Sequence, residues 1–225
     1  FIKEAFKNKA SLVITDKLRK NKNCLRVKNT LKFLTEASSI VRENISSKII
    51  AITGSSGKTS LKELIGRSLK KNYSVTYSPK SFNNKFGVPI SLFNLRKNDD
   101  FGIFEIGMDK KNEINFLSKI IKPDVGIITN ISYAHIKNFK NIKEIASAKS
   151  EIIQNIKENG HIILNRDDYF YNFHKNISIK KKLNILSFSL KNKNSNIYLN
   201  SIKKQKSRYK IFITINNTNK YFYFD

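Results

Sequence analysis

The residues from Thr53 to Thr59 have the types and spacing of a phosphate-binding loop. The run reads Thr-Gly-Ser-Ser-Gly-Lys-Thr and lies between an apolar stretch and an amphipathic one. Gly54 and Gly57 would let the backbone turn so that its N–H groups, including those of Ser55 and Ser56, face a phosphate at the start of a helix. Lys58 would reach the outer phosphates, and Thr59 would ligate Mg²⁺. The alternative is a glycine turn that only caps a helix.

The spacing of this loop departs from the general nucleotide-binding pattern. That pattern has four residues between its two glycines, which would place the first at Ile52 rather than at Gly54. We therefore expect a shortened variant of the loop.

Two further residues follow apolar stretches and could reach the same site. Glu105 closes the stretch that begins at Phe101, and His135 lies a few residues beyond Thr129. Ligands of open parallel sheets bind at the carboxyl ends of the strands, where a carboxylate can hold Mg²⁺. The alternatives are a solvated strand-end acid for Glu105 and a structural loop residue for His135.

Lys149 is out of place in the helix predicted from Ile142 to Ile156. It falls within the apolar stripe of that helix. Burial of an ammonium is costly unless the group is paired or chemically altered, so Lys149 is a functional candidate. The alternative is a lysine that extends from the edge of the stripe to water.

The elements that would position these residues indicate an α/β fold. Apolar strands at 49–53, 101–106 and 125–129 alternate with helices, which predicts a parallel sheet covered by helices on both sides. The polar segment from Ser81 to Pro89 reads as a loop. Short alternating stretches after residue 197 predict an antiparallel hairpin with a turn at 216–219.

Residues 1–46 have a different pattern, of short helix, strand, strand and helix. They read as the end of a preceding domain, and 47–225 read as the main domain. The chain begins with Phe1, and its only methionine is Met108, so we read it as a fragment.

Composition narrows the class of protein without fixing the partner. The net charge of +26 would suit a polyanion, but the lysines are scattered and asparagine is abundant, which favours compositional drift over selection for binding. No apolar stretch is long enough for a membrane helix, and the single Cys24 excludes an internal disulfide and fits a reducing cytoplasm.

Together these motifs resemble the Mur ligase family, in order as well as in content. The matching segments are the loop at 53–59, Asn83-Asn84 with Gly87-Val88-Pro89, the stretch at 104–108 with Glu113-Ile114, Thr129-Asn130-Ile131 with Ala134-His135 and Phe139, and the stretch at 145–152. Ser81 stands where many relatives have asparagine, so the chain departs from the family pattern at this one substrate contact.

The resemblance implies a role for each matched residue. It implies that Lys58 binds ATP phosphates and that the loop residues with Asn130 bind the nucleotide. It also implies that Ser81, Asn83 and Asn84 bind substrate. One Mg²⁺ would be held by Thr59 and Glu105, and a second by His135 with a carbamylated Lys149.

The resemblance further implies a cytoplasmic, monomeric, ATP-dependent ligase of peptidoglycan synthesis. Its substrates would be UDP-N-acetylmuramoyl-tripeptide and D-alanyl-D-alanine. Residues 1–46 would then end the UDP-substrate domain, 47–225 would be an incomplete ATP-binding domain, and a C-terminal domain would be absent. We expect such a fragment to bind nucleotide without turnover, because domain closure supplies groups and excludes water.

Three alternatives remain open. One is another Mur ligase or a ligase like folylpolyglutamate synthase, which would share the phosphate loop. The second is a basic nucleotide hydrolase that acts on nucleic acid, although we see no cluster of arginine and aromatic residues. The third is a nucleotide-binding module without activity.

Overall fold

A computed structural model describes residues 1–17, 21–133, 138–205 and 207–224. Its main feature is a nine-stranded sheet. The strands of the sheet are β3 (Lys48–Thr53), β4 (Val75–Tyr77), β5 (Phe101–Glu105), β6 (Val125–Ile128), β7 (His161–Asn165), β8 (Asn184–Ser189), β9 (Ile197–Gln205), β10 (Arg208–Ile215) and β11 (Thr218–Phe224). The predicted α/β class with a largely parallel sheet is confirmed.

The strand order places β3 inside the parallel part, between β6 and β5. The sheet runs β11-β10-β9-β8-β7-β6-β3-β5-β4, with parallel pairing from β4 to β9 and antiparallel pairing from β9 to β11. The chain continues on one side of β3 through β4 and β5 and then crosses to β6 on the other side. Such a switch point is where open α/β sheets bind ligands.

Helices cover both faces of the parallel strands, as predicted. From residue 30 onward the helices are α2 (Thr30–Glu43), α3 (Lys58–Leu69), α4 (Gly87–Phe93), α5 (Glu113–Ile121), α6 (Ile142–Gln154) and α7 (Tyr171–Lys180). Along β3, Ile49 and Ala51 face the larger core cluster, to which α4, α5, α6 and α7 contribute, while Ile52 faces α3. A strand that is apolar on both sides is typical of this arrangement.

The N-terminal segment has the predicted order of elements. Helix α1 (Ile2–Lys7) is followed by β1 (Val13–Thr15) and β2 (Cys24–Arg26), which pair in a separate two-stranded sheet. Arg42 of α2 is buried, and its guanidinium donates hydrogen bonds to the carbonyls of Ile121 and Ile45. The predicted domain boundary at residues 46 and 47 falls in the connection between α2 and β3.

Two sequence expectations are corrected by the structure. The loop predicted from Ser81 to Pro89 ends earlier, because Gly87 and Pro89 lie in the first turn of α4, where proline is tolerated since the amide it lacks has no partner within the helix. The sequence analysis also did not predict α7 or β8, which lie between the last predicted helix and the alternating stretches after residue 197.

The terminal hairpin is confirmed with a tighter turn than predicted. Asn216 and Asn217 both have positive φ, at 44° and 67°, and β11 begins directly afterwards at Thr218. Two central residues with positive φ match the twist of the flanking strands, and asparagine adopts this conformation at low cost.

Candidate functional site

The phosphate loop connects the end of β3 to the start of α3. Gly54 has φ of 147°, and a Cβ there would lie 1.8 Å from Thr129 Oγ1, so a side chain would collide with the segment after β6. Gly57 has φ of 78°, and a Cβ added to it would meet nothing within 4 Å. The loop is therefore closed against β6 on one side and open on the side where α3 begins.

Hydrogen bonds to the segment after β6 fix the shape of this loop. The amide of Ser55 donates to the carbonyl of Asn130 at 2.9 Å, and the amide of Ser56 donates to its Oδ1 at 3.1 Å. Thr129 Oγ1 donates in turn to the carbonyl of Ser56 at 2.7 Å. Asn130 thus shapes the loop in this structure, a role that the sequence did not reveal. The expectation that the amides of Ser55 and Ser56 face a phosphate is corrected, because both already donate to Asn130.

Two lysine ammonium groups meet at one carbonyl of the loop. Lys58 Nζ and Lys149 Nζ donate to the carbonyl of Gly54, at 2.9 Å and 3.0 Å. Burial lowers the pKa of Lys58, and the carboxylate of Glu105 partly opposes that effect. Lys58 therefore provides a flexible cationic side chain at the place where phosphates would bind.

The prediction that Lys149 lies inside the apolar stripe of its helix is confirmed. Its side chain is only 2% exposed, on a helix that also buries Ile145 and Ile152. Burial, with a further contribution from the nearby charge of Lys58, lowers the pKa of Lys149 to about 7. A large fraction of this amine is therefore neutral, and nucleophilic, near neutral pH.

The carboxylate of Glu105 is the centre of a chain of hydrogen bonds that includes Thr59 and Asn83. Thr59 Oγ1 donates to Glu105 Oε2 at 2.7 Å, and Asn83 Nδ2 donates to Glu105 Oε1 at 2.7 Å. Glu105 is buried at the end of β5 and is therefore not a solvated strand-end acid. Its carboxylate joins the phosphate helix to the loop that follows β4.

The donor set around Glu105 fits Mg²⁺. Within the described part of the chain no group of three or more His, Cys, Asp and Glu residues could hold a metal ion. A single carboxylate beside the Thr59 hydroxyl suits Mg²⁺, which usually takes one or two carboxylates and completes its shell with water and substrate phosphates. There is open space for such phosphates beside Gly57, where an added Cβ would meet nothing within 4 Å.

The predicted substrate residues lie beside the same cleft. Asn83, Asn84, Lys58 and Phe86 are among the residues that line a cavity of about 590 Å³. Asn84 Oδ1 also accepts hydrogen bonds from the amides of Phe86 and Gly87, so half of its amide group stabilises the start of α4. Ser81 is exposed at the rim of the loop.

His135 lies outside the described residues, so its predicted role stays a prediction.

The segment that follows β6 is held by two residues that the sequence analysis missed. Asn165 Nδ2 donates to the carbonyl of Thr129 at 3.2 Å, and Asp168 Oδ2 accepts from the amide of Ile131 at 2.7 Å. Both follow an apolar stretch beginning at Ile162, so the rule applied to Glu105 would have found them.

Comparison with known proteins assigns the family. Residues 52–223 match the Mur ligase middle domain family. The chain belongs to the Mur ligase family. The match covers most of the chain, and it begins within β3 and ends within β11.

Two of the similar curated Mur ligases share one protein name. The chain is 38% identical over 206 residues to the UDP-N-acetylmuramoyl-tripeptide–D-alanyl-D-alanine ligase of Buchnera aphidicola subsp. Acyrthosiphon pisum, covering 90% of this chain and 45% of that protein. It is 38% identical over 201 residues to the enzyme of that name from Rickettsia prowazekii, covering 87% and 44%. The chain thus spans about half the length of the curated relatives it matches.

Solved Mur ligase structures are similar over nearly the whole chain. MurF from Acinetobacter baumannii superposes with a TM-score of 0.87 at 28% identity, covering 99% of this chain and 48% of that one. MurF from Thermotoga maritima, solved in complex with ADP, superposes with a TM-score of 0.84 at 25% identity, covering 99% and 51%. In the described part of this Mur ligase chain, no helix is long and apolar enough to cross a membrane.

Proposed function

We propose that this chain is the ATP-binding part of a cytoplasmic ligase that adds D-alanyl-D-alanine to UDP-N-acetylmuramoyl-tripeptide. The observation that carries the proposal is the hydrogen-bonded series Thr59–Glu105–Asn83, because it places a Mg²⁺-type donor set between the phosphate loop and the cavity of about 590 Å³ that Asn83 lines. The names of the relatives supply the substrates. In the same proposal residues 1–46 end the UDP-substrate domain and 47–225 belong to the ATP-binding domain.

The first chemical step would be activation of a carboxylate. The terminal carboxylate of the precursor attacks the γ-phosphorus of ATP, the bond to the β,γ-bridging oxygen breaks, and ADP leaves. An acyl phosphate results. Lys58 and the loop amides from Gly57 to Thr59 would offset the repulsion between the carboxylate and the triphosphate. The amides of Ser55 and Ser56 donate to Asn130 instead.

The second step would be amide formation. The amine of D-alanyl-D-alanine attacks the acyl carbon, inorganic phosphate leaves with its bonding electron pair, and a proton leaves the amine. The cavity beside Asn83, Phe86 and Phe116 provides apolar and polar lining for the peptide parts of the two substrates.

Thr59 and Glu105 would hold one Mg²⁺, and His135 with carbamylated Lys149 a second. Bound Mg²⁺ supplies neutralisation of the phosphate charge during transfer. The modification itself needs a neutral amine: Lys149 Nζ attacks the carbon of CO₂, a nitrogen–carbon bond forms, and the amine loses a proton. The low pKa of Lys149 supports this step, and the carbamate would turn a cation into an oxygen donor.

ADP release by the full-length gene product tests the proposal. The assay contains UDP-N-acetylmuramoyl-tripeptide and Mg²⁺ and compares D-alanyl-D-alanine with single amino acids as acceptor. We expect release that requires the dipeptide and falls about 10²- to 10³-fold in Lys58→Ala, the usual effect of losing one preorganised donor. Release with a different acceptor would keep the ligase chemistry and change the substrate, and no release with any acceptor would contradict the proposal.

A further inference from the structure

A second buried lysine, Lys62, lies on the same helix as Lys58 and Thr59. Lys62 is 0% exposed and is among the largest fully buried side chains in the described part of the chain. Positions three and four apart share a face of a helix, so Lys62 follows the two phosphate-loop residues by one turn. A charged side chain in this place needs a physical reason, because burial of an unpaired ammonium is costly.

The ammonium of Lys62 is fully paired with oxygen atoms. It donates to the carbonyl of Ser78 at 2.6 Å and to the carbonyl of Lys80, and it lies 3.2 Å from Glu63 Oε1. An ammonium has three donors, so these three partners satisfy it. Two of them are backbone atoms of the loop that follows β4, which means that Lys62 connects α3 directly to that loop.

The loop needs such a contact to keep its shape. Lys80 has φ of 47°, which a residue with a side chain adopts at a cost and keeps only when its surroundings impose it. Ser78 is fully buried, so its carbonyl would lack water if the ammonium were removed. Lys62 offsets both costs.

The same loop positions the groups at the candidate site. Ser78 Oγ accepts from the amide of Glu105 at 3.4 Å, and Asn83, three residues beyond Lys80, donates to the Glu105 carboxylate and accepts from the amide of Gly107 at 2.8 Å through its carbonyl. Displacement of residues 78–83 would therefore remove one of the two hydrogen bonds to the Glu105 carboxylate and change the wall of the cleft.

We propose that Lys62 is a positioning residue that holds the loop of residues 78–84 against the phosphate helix, so that the precursor site keeps its shape. The inference rests on the proposed function. It assigns to Lys62 no contact with ATP or precursor. Its loss is expected to weaken precursor binding far more than nucleotide binding, because the phosphate loop is held from the opposite side by Thr129 and Asn130.

The test is Lys62→Met in the full-length protein, with Lys119→Met on the exposed side of α5 as the matched control. Methionine has a similar length and no donor. We expect the KM for UDP-N-acetylmuramoyl-tripeptide to rise about tenfold or more, while the Kd for ATP measured by calorimetry changes less than about threefold. Faster hydrogen exchange of the backbone amides in residues 78–84 is expected in Lys62→Met and not in Lys119→Met.

A second comparison separates positioning from general stability. The effect of each variant on the precursor KM can be expressed as a free-energy change. If Lys62 acts through Asn83, the change for the double variant Lys62→Met with Asn83→Ala will be smaller than the sum of the two single changes. Lys62→Gln, which keeps two donors, should recover part of the KM. If Lys62→Met does not fold, the same measurements on Lys62→Gln decide the question.

Three results would overturn the role of Lys62: an unchanged precursor KM in a folded variant, equal losses for ATP and precursor, or full additivity with Asn83→Ala. A wild-type protein that releases no ADP with any acceptor would instead overturn the proposed function. The two failures are therefore distinguishable.

Discussion

The two sides of the phosphate loop each contain a buried lysine, and the two lysines differ in what surrounds them. On the α3 side, Lys62 is paired with two backbone carbonyls and a carboxylate. On the α6 side, Lys149 donates to the carbonyl of Gly54, which it shares with Lys58, and the charge of Lys58 lies nearby.

This difference shows why burial alone does not define a functional lysine. A buried ammonium with three oxygen partners is stabilised in its charged form and acts as a fixed link. An ammonium beside a second cation is destabilised by burial and by repulsion, so its proton is lost more easily. The first environment suits positioning, and the second suits chemistry at the nitrogen.

The largest difference between the two lysines is expected for Lys149→Ala. We expect ADP release by the full-length protein to fall about a hundredfold or more, because an oxygen donor would be lost from the reacting site. Short carboxylic acids such as acetate should restore part of the activity, since they can supply a carboxylate in the space left. Lys143→Ala, on the exposed side of α6, is the control. Equal rescue of Lys62→Met by acetate would remove the distinction between the two lysines.

A stability effect of about 2–4 kcal/mol is expected for Lys62→Met. The change would leave the carbonyls of Ser78 and Lys80 without their charged donor, and hydrogen bonds to charged groups contribute about 1.5–3 kcal/mol each. Urea denaturation followed by circular dichroism measures the free energy of unfolding, with Lys119→Met as reference. A loss below about 0.5 kcal/mol, the usual range for surface changes, would mean that the loop does not depend on Lys62.

The pH dependence of stability should report the environment of Lys149. The pKa of Lys149 is lowered to about 7 from its ordinary 10.5, so between these values the unfolded chain binds the proton and the folded chain does not. Stability should then rise with pH across this window, by at most about 1.4 kcal/mol per unit from this group, with the destabilisation fully present below pH 7.

Comparison of the wild type with Lys149→Met isolates that contribution. The difference in unfolding free energy between the two proteins should change from pH 7 to pH 9 in bicarbonate-free buffer. An unchanged difference would show that Lys149 keeps its ordinary pKa in the folded protein.

The smallest effect is expected for Glu63→Gln. The Glu63 side chain is 32% exposed, and ion pairs that are reached by water contribute little, so we expect a loss below about 1 kcal/mol. The two carbonyls would still hold the ammonium. A loss as large as that of Lys62→Met would show that the carboxylate, and not the loop backbone, holds Lys62 in place.

The sequence predicted the local structure around the candidate site well and the contacts between distant segments poorly. The loop from Gly54 to Thr59 was predicted because turn, helix start and phosphate chemistry depend on neighbouring residues. Lys149 was found because its helical stripe is a local pattern. Lys62 was missed, because its acceptors are backbone carbonyls 16 and 18 residues away, which no side-chain pattern reveals.

The same limit explains the fold predictions. The central strands and the terminal hairpin follow from apolar patterning and from the asparagines at 216 and 217. Helix α7 was missed because its apolar pattern is weak and its buried positions include Tyr171, His174 and Ser178. His174 is satisfied by a hydrogen bond to the carbonyl of Ala146, and burial lowers its pKa.

The shape of the loop at residues 53–59, the alternation of strands and helices and the unusual position of Lys149 follow from the sequence, because each depends on residues that are close along the chain. The strand order, the meeting of Lys58 and Lys149 at one carbonyl and the bridging of Thr59 and Asn83 by Glu105 follow only from the folded structure. These contacts join segments 22 to 95 residues apart, and the packing of helices on the sheet brings them together. Whether a buried lysine is a link or a reactive amine depends on those distant partners, which is why only the folded chain distinguishes Lys62 from Lys149.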